Sequence, residues 1–187
     1  MNVLIIDNRT FYLNSLKNLF SSHKITVIDW EKFKSHNLEN YDLIVLSGGH
    51  PYSITHHPNL FKQEIEIVKS TTIPVLGICL GFEIIVYSFG GTLKELLRRE
   101  KGILEIKAEK EDPIFGDIRI IEVFENHRWI AKKLPYELIA LARSKDGVEV
   151  VKHKDRLIYG FQFHPEIVVD KNDLRIFNNF LKLVERS

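Results

Sequence analysis

Apolar residues fall in short blocks between polar turns, and the period of the blocks changes along the chain. The run Asn2 to Ile6 ends at Asp7-Asn8, which predicts a strand and a turn. Phe11, Leu16, Leu19 and Phe20 recur at helical spacing and predict a helix over Phe11 to Phe20. Ile25 to Ile28 and Leu43 to Leu46 read as strands, the second ending in Ser47-Gly48-Gly49. A helix is expected over Phe61 to Val68, with Ile65 and Val68 on one face. Ile73 to Ile78, apolar apart from Pro74 and Gly77, predicts a strand, and Phe82 to Phe89 the next helix. This alternation argues for βα units and a parallel sheet. Ligands of such sheets bind beyond the carboxyl ends of the strands, where Asp7, Gly49 and Cys79 all fall.

After Gly90-Gly91 the rhythm becomes strand-like with short links: Leu93 to Ala108, Ile118 to Phe124, Leu138 to Ala142, Val148 to His153 and Leu157 to Phe163. A closing helix is expected over Asp173 to Glu185, with Leu174, Phe177, Leu181 and Val184 on one face. No repeat, low-complexity tract or linker interrupts the 187 residues, so residues 1–187 are expected to form one domain. The 44% hydrophobic content is enough for a sizeable core. With 26 basic and 25 acidic residues, nothing suggests a nucleic-acid or membrane surface. The mixed-sign segment Lys94 to Glu111 reads as a solvated edge. One cysteine excludes an internal disulfide and fits a reducing compartment. A strand-like run follows Met1 directly, without a basic then apolar leader or a membrane-length apolar stretch, so a cytoplasmic location is expected.

The lone cysteine sits in Val75-Leu76-Gly77-Ile78-Cys79-Leu80-Gly81, where an apolar strand meets an apolar helix between two glycines. This predicts a thiol on a tight strand-to-helix turn. The helix N-terminus beyond it is expected to lower the thiol pKa and to stabilise an oxyanion. Downstream, Tyr159-Gly160-Phe161-Gln162-Phe163-His164-Pro165-Glu166 alternates into a histidine at a strand end, with Pro165 holding the backbone extended towards Glu166. Nucleophilic catalysis by sulfur needs a base and a group to orient that base. Cys79, His164 and Glu166 supply those types. His56 and His57 lack a third ligand of known spacing, so neither metal nor cofactor is expected.

Together these segments closely resemble the class I (triad-type) glutamine amidotransferases, which carry a G-I-C-x-G elbow and a downstream F-H-P-E. Ile5-Ile6-Asp7-Asn8 is similar to the family's opening strand and turn, and Val45-Leu46-Ser47-Gly48-Gly49 to its oxyanion-strand loop. The resemblance covers nearly the whole chain. It implies an open, mostly parallel α/β sheet flanked by helices, flavodoxin-like, with a small antiparallel β extension. It also implies hydrolysis of L-glutamine through a γ-glutamyl thioester on Cys79. His164 would act as base and acid, Glu166 would fix its tautomer, and the backbone N–H groups of Gly49 and Leu80 would hold the oxyanion. Gly48, Glu83 and His127 take substrate-contact positions.

Within the family, the order Asp112-Pro113-Ile114-Phe115, Glu125-Asn126-His127, Leu141-Ala142-Arg143-Ser144, Val151-Lys152-His153 and Ile158-Tyr159-Gly160 looks most like the stand-alone glutaminase subunit of GMP synthetase. That implies purine biosynthesis and a separate synthetase subunit of the ATP-pyrophosphatase type to receive the ammonia. The chain departs from that subunit at four places. Asp7-Asn8-Arg9-Thr10-Phe11 replaces D-N-G-G-Q, and His50 intervenes before Pro51. Arg128-Trp129 stands where an Asp usually follows the His motif, and Phe82-Glu83 replaces His-Gln or Met-Gln. Phe-Glu is similar to γ-glutamyl hydrolases, so a free-standing hydrolase of γ-glutamyl compounds is the alternative, with a non-catalytic homologue as a third reading.

Overall fold

The computed structural model describes residues 1–34, 38–49 and 51–187. His50 lies outside the described residues. In chain order the elements are β1 (Asn2–Asn8), α1 (Leu13–Leu19), β2 (Lys24–Asp29), β3 (Leu43–Gly49), α2 (Lys62–Ser70, entered by a 3-10 turn at Pro58–Phe61), β4 (Val75–Ile78) and α3 (Leu80–Ser88). There follow β5 (Thr92–Ala108), β6 (Ile120–Lys133), β7 (Leu138–Arg143), β8 (Val148–His153), β9 (Ile158–Phe161) and α4 (Lys171–Val184). Among the described residues, nine strands form one sheet in the order β2-β1-β3-β4-β9-β8-β7-β5-β6. The first five in that order pair in parallel, and the remaining pairings are antiparallel. The expected α/β fold with an antiparallel extension is the observed one.

The central strands are apolar on both faces because helices cover both. On β1, Val3 and Ile5 pack with Leu16 and Phe20 of the α1 region and with Phe177 and Phe180 of α4. Leu4 and Ile6 point the other way, towards Ile67 and Val68 of α2 and Ile84 and Ile85 of α3. Alternation across a strand thus divides one sequence run between two cores. Helix α3 is buried along almost its whole length, so its apolar residues show no one-sided stripe. Helix α4 has such a stripe (Ile176, Phe177, Phe180, Leu181 and Val184), and the Asp170 carboxylate caps it by accepting from the Asn172 N–H.

Two elements differ from expectation. Strand β6 runs to Lys133, well beyond Phe124, because backbone pairing with β5 continues through the polar residues Glu125 to His127 and, after a register shift, resumes at Trp129. Strand β5 meets β7 only at Lys107 and Ala108, so most of β5 and β6 form a two-stranded arm. The mixed charges of Lys94 to Glu111 are solvated on that arm. The terminal strands of the sheet are β2 and β6. At the end of β1, Arg9 adopts φ 63°, the left-handed region, at the first glycine position of D-N-G-G-Q. A non-glycine residue there costs about 1–2 kcal/mol. Arg9 is held by Glu31 at 2.7 Å and lies over the Trp30 ring.

Candidate active site

Cys79 is the N-cap of α3, with φ 50° and ψ −100°. This strained non-glycine conformation, at the junction of β4 and α3, is the predicted nucleophile elbow. The flanking glycines let the turn sit tight against the sheet. A Cβ on Gly77 would lie 2.4 Å from the Gly81 carbonyl oxygen, and one on Gly81 2.2 Å from that of Leu46. The Cys79 N–H donates to the Phe161 carbonyl at 2.8 Å, which ties the elbow to the end of β9.

His164 and Glu166 lie beyond β9 in a turn closed by the Ile167 N–H donating to the His164 carbonyl at 3.0 Å. The segment is therefore not extended, as the sequence suggests. Pro165 takes the first central position of the turn, which suits its fixed φ. The turn swings Glu166 back, placing Oε1 2.9 Å from His164 Nδ1. The imidazole is wedged against Tyr12 and Phe124, edge-on to Tyr12 at 5.0 Å between ring centres. Gly48 brings base and thiol to one wall: a Cβ there would lie 2.9 Å from His164 Cε1 and 3.5 Å from Cys79 Cβ. Gly49 packs closer still: a Cβ there would lie 2.5 Å from Leu80 Cδ2. Cys79, His164, Gly49, Leu80, Glu83 and His127 all line one cleft of about 420 Å³. Glu166 and Gly48 stand directly behind it, each against His164.

The electrostatics correct one expectation. Burial pushes the Cys79 thiol well above its usual range, and the carboxyls of Glu83, Glu125 and Glu166 push it further. The Leu80 N–H, hydrogen-bonded to the sulfur, pulls the other way but is outweighed. The helix end therefore aims a donor at the sulfur without making a resting thiolate. Glu83, buried on the first turn of α3, is pushed up by burial to about 8 and is neutral at pH 7. Phe82 is turned into the core against Gly160 and away from the cleft.

Further residues complete the cleft. Asn126 places its carbonyl oxygen 4.0 Å from Cys79 Sγ and donates its side-chain amide to the Tyr12 hydroxyl at 3.0 Å. Arg99 donates to the Asn126 side-chain oxygen at 3.3 Å. Tyr12 and Arg99 carry no sequence signal for this role beyond the aromatic run Phe11-Tyr12. Trp129 packs edge-on to His56 at 5.1 Å, and both line the cleft with Arg128. His127 turns its Nε2 away from the cleft, 3.2 Å from Glu125 Oε2. Behind the Gly48-Gly49 loop, Asn8 donates to the Ser47 carbonyl and to Glu64, a buried carboxyl on α2.

The family model "Glutamine amidotransferase class-I" matches residues 4–184. The chain is 33% identical over 146 residues to a glutamine-hydrolyzing GMP synthase subunit from Saccharolobus solfataricus, covering 77% of each protein. It is 31% identical to the protein of that name from Methanocaldococcus jannaschii, covering 97% of this chain and 96% of the relative. In three dimensions it is similar to a crystal structure from Thermoplasma acidophilum described as a GMP synthase subunit. The TM-score is 0.89 at 26% identity, covering 100% of this chain and 94% of the other. With the elbow, the His–Glu turn and the sheet order all in place, this chain belongs to the class I glutamine amidotransferase family.

Proposed function

We propose that the chain is a glutaminase subunit that hydrolyses L-glutamine through a γ-glutamyl thioester on Cys79 and passes the ammonia to a separate synthetase of the GMP-forming, ATP-pyrophosphatase type. The observation that carries this reading is the meeting of Cys79 and His164 at Gly48, with Glu166 on the far nitrogen of the imidazole. Glu166 accepts from Nδ1–H and so leaves Nε2 as the basic nitrogen of His164. As the resting thiol is protonated, Nε2 takes its proton while Sγ attacks the side-chain amide carbon. The N–H groups of Gly49 and Leu80 hold the oxyanion. The imidazolium then protonates the departing nitrogen, releasing ammonia. Water, deprotonated by the same nitrogen, cleaves the thioester to glutamate and restores the thiol.

Glu83 fits this reading. A neutral carboxyl pairs a donor, its O–H, with a carbonyl acceptor, as the amide of the family's Gln pairs its N–H₂ with one. Below about pH 8 the substitution keeps the hydrogen-bonding character of the site. Of the other expected substrate contacts, Gly48 acts through His164, which it seats, and His127 only backs the cleft wall, its ring nitrogens facing Trp129 and Glu125. The near-complete overlap with a relative named as a subunit supports a separate partner. No helix among the described residues is long and apolar enough to cross a membrane. A lone nucleophilic thiol is best kept in a reducing compartment, which supports a cytoplasmic location.

The test is release of glutamate and ammonia from glutamine by the purified chain, alone and with a GMP-forming synthetase subunit from the same genome. Turnover that rises when the synthetase is added is the expected result. Turnover of γ-glutamyl amines and peptides in preference to glutamine would instead favour the hydrolase reading, as would indifference to the synthetase.

A further inference from the structure

Along β6 the buried positions alternate as Ile121, Val123, Glu125 and His127. An apolar stripe thus turns into a carboxyl and an imidazole without leaving the core. Glu149, on β8, points a second carboxyl to the same place. One ligand atom from each of the three lies within 4.8 Å of the others. We propose that Glu125, His127 and Glu149 form a binding site for a divalent transition-metal ion, with Zn²⁺ as the reference ion, in the wall behind the cleft.

The tautomer of His127 is the first support. Its Nδ1 lies 3.1 Å from the Trp129 carbonyl oxygen, which can only accept. Nδ1 therefore carries the proton, and a neutral ring presents a lone pair at Nε2. That lone pair faces Glu125 Oε2 at 3.2 Å without a hydrogen bond, and both Glu125 oxygens and Glu149 Oε2 also lack a partner. Converging lone pairs need a proton or a cation between them. An imidazole that donates its other nitrogen to a backbone carbonyl is the arrangement metal-binding histidines use. Glu149 is oriented in the same manner, its other oxygen accepting from the Ser144 hydroxyl at 2.6 Å.

The donor set is the second support. One imidazole and two carboxylates balance a 2+ ion, suit Zn²⁺ or Mn²⁺, and leave a fourth position open. Neighbouring charge favours a cation as well, since Glu125 feels the carboxylates of Glu100 and Asp146. All three groups bind a cation only when deprotonated, so affinity should rise with pH. An occupied site would also fix Asn126, whose carbonyl touches Cys79 Sγ.

The test is titration of the chelator-stripped Cys79→Ala chain, which removes the thiol as a competing ligand, with Zn²⁺ and Co²⁺ at pH 6 and 8. The expected results are one equivalent bound, tighter at pH 8, and about tenfold or more weaker in Glu149→Gln or Glu125→Gln. X-ray absorption of the zinc-loaded parent reads the ligands directly, even where a variant fails to fold. One imidazole with oxygen donors is expected. Two imidazoles, which would place the ion at His56 and His57, no stoichiometric binding at pH 8, or folded variants that bind as the parent does would each overturn the proposal.

Discussion

Glu166 Oε1 accepts from His164 Nδ1 at 2.9 Å although only Pro165 separates the two residues. The proline-centred turn, not a distant element, supplies the orienting carboxylate. Glu166→Gln keeps the turn but offers an amide N–H to Nδ1, which favours the wrong tautomer. Glutamine turnover should fall by about 10²–10⁴-fold, chiefly in kcat, with the fold intact. Steady-state kinetics beside circular dichroism would check this, and a variant within a few-fold of the parent would remove Glu166 from the mechanism.

The two classes of glycine at the site should respond differently. Gly48→Ala puts a methyl 2.9 Å from His164 Cε1, where the ring must shift, so the variant should fold and lose at least about tenfold in activity. Gly81→Ala puts a methyl 2.2 Å from the Leu46 carbonyl oxygen, in backbone that has no freedom to yield. It should destabilise the chain by about 1–3 kcal/mol or more. Urea melts and activity assays on the pair would separate positioning from packing.

Glu83 stands as a neutral carboxyl up to about pH 8. Above that it ionises, losing the donor that mimics Gln and adding a charge that raises the Cys79 thiol further. Glu83→Gln should therefore match the parent near pH 7 and outperform it at pH 9. Alkylation of Cys79 by iodoacetamide should also be faster in the variant at pH 9. Parallel pH profiles for parent and variant would return Glu83 to a purely structural role.

Much of the fold was legible because β1, β3 and β4 are uninterrupted apolar runs joined by helical spacings. The elbow was legible because its two glycines and its cysteine are adjacent in sequence. Other features arise only from register and burial. Glu149 meets Glu125 and His127 because the sheet order brings β8 and β6 to a common core, which no local pattern encodes. The raised thiol follows from burial and three carboxyls outweighing one helix end, a balance that spacing cannot supply. Strand β6 hid its length because Glu125 and His127 look polar while occupying core positions.

Glu64 is such a hidden group, and it has a consequence for stability. Burial raises its carboxyl from 4.5 to about 8 in the folded chain. Between those values the unfolded chain holds fewer protons than the folded one. The contribution of Glu64 is complete below the lower value, declines as pH rises through the window, and levels off above about 8. Glu64→Gln still accepts from Asn8 and removes up to about 1.4 kcal/mol per pH unit of that slope. The variant should be more stable than the parent at pH 8 and converge with it near pH 4. Equal slopes in denaturant melts would show that Glu64 ionises normally.

The central claim is that Cys79 carries the γ-glutamyl group. Its most direct test is intact-mass analysis of the chain acid-quenched during turnover of glutamine, with the synthetase subunit present. A mass gain of one γ-glutamyl group on the peptide containing Cys79 is expected, absent in Cys79→Ala, which releases no ammonia. Ammonia release by Cys79→Ala at the parent's rate, or turnover with the acyl group on another residue, would contradict it.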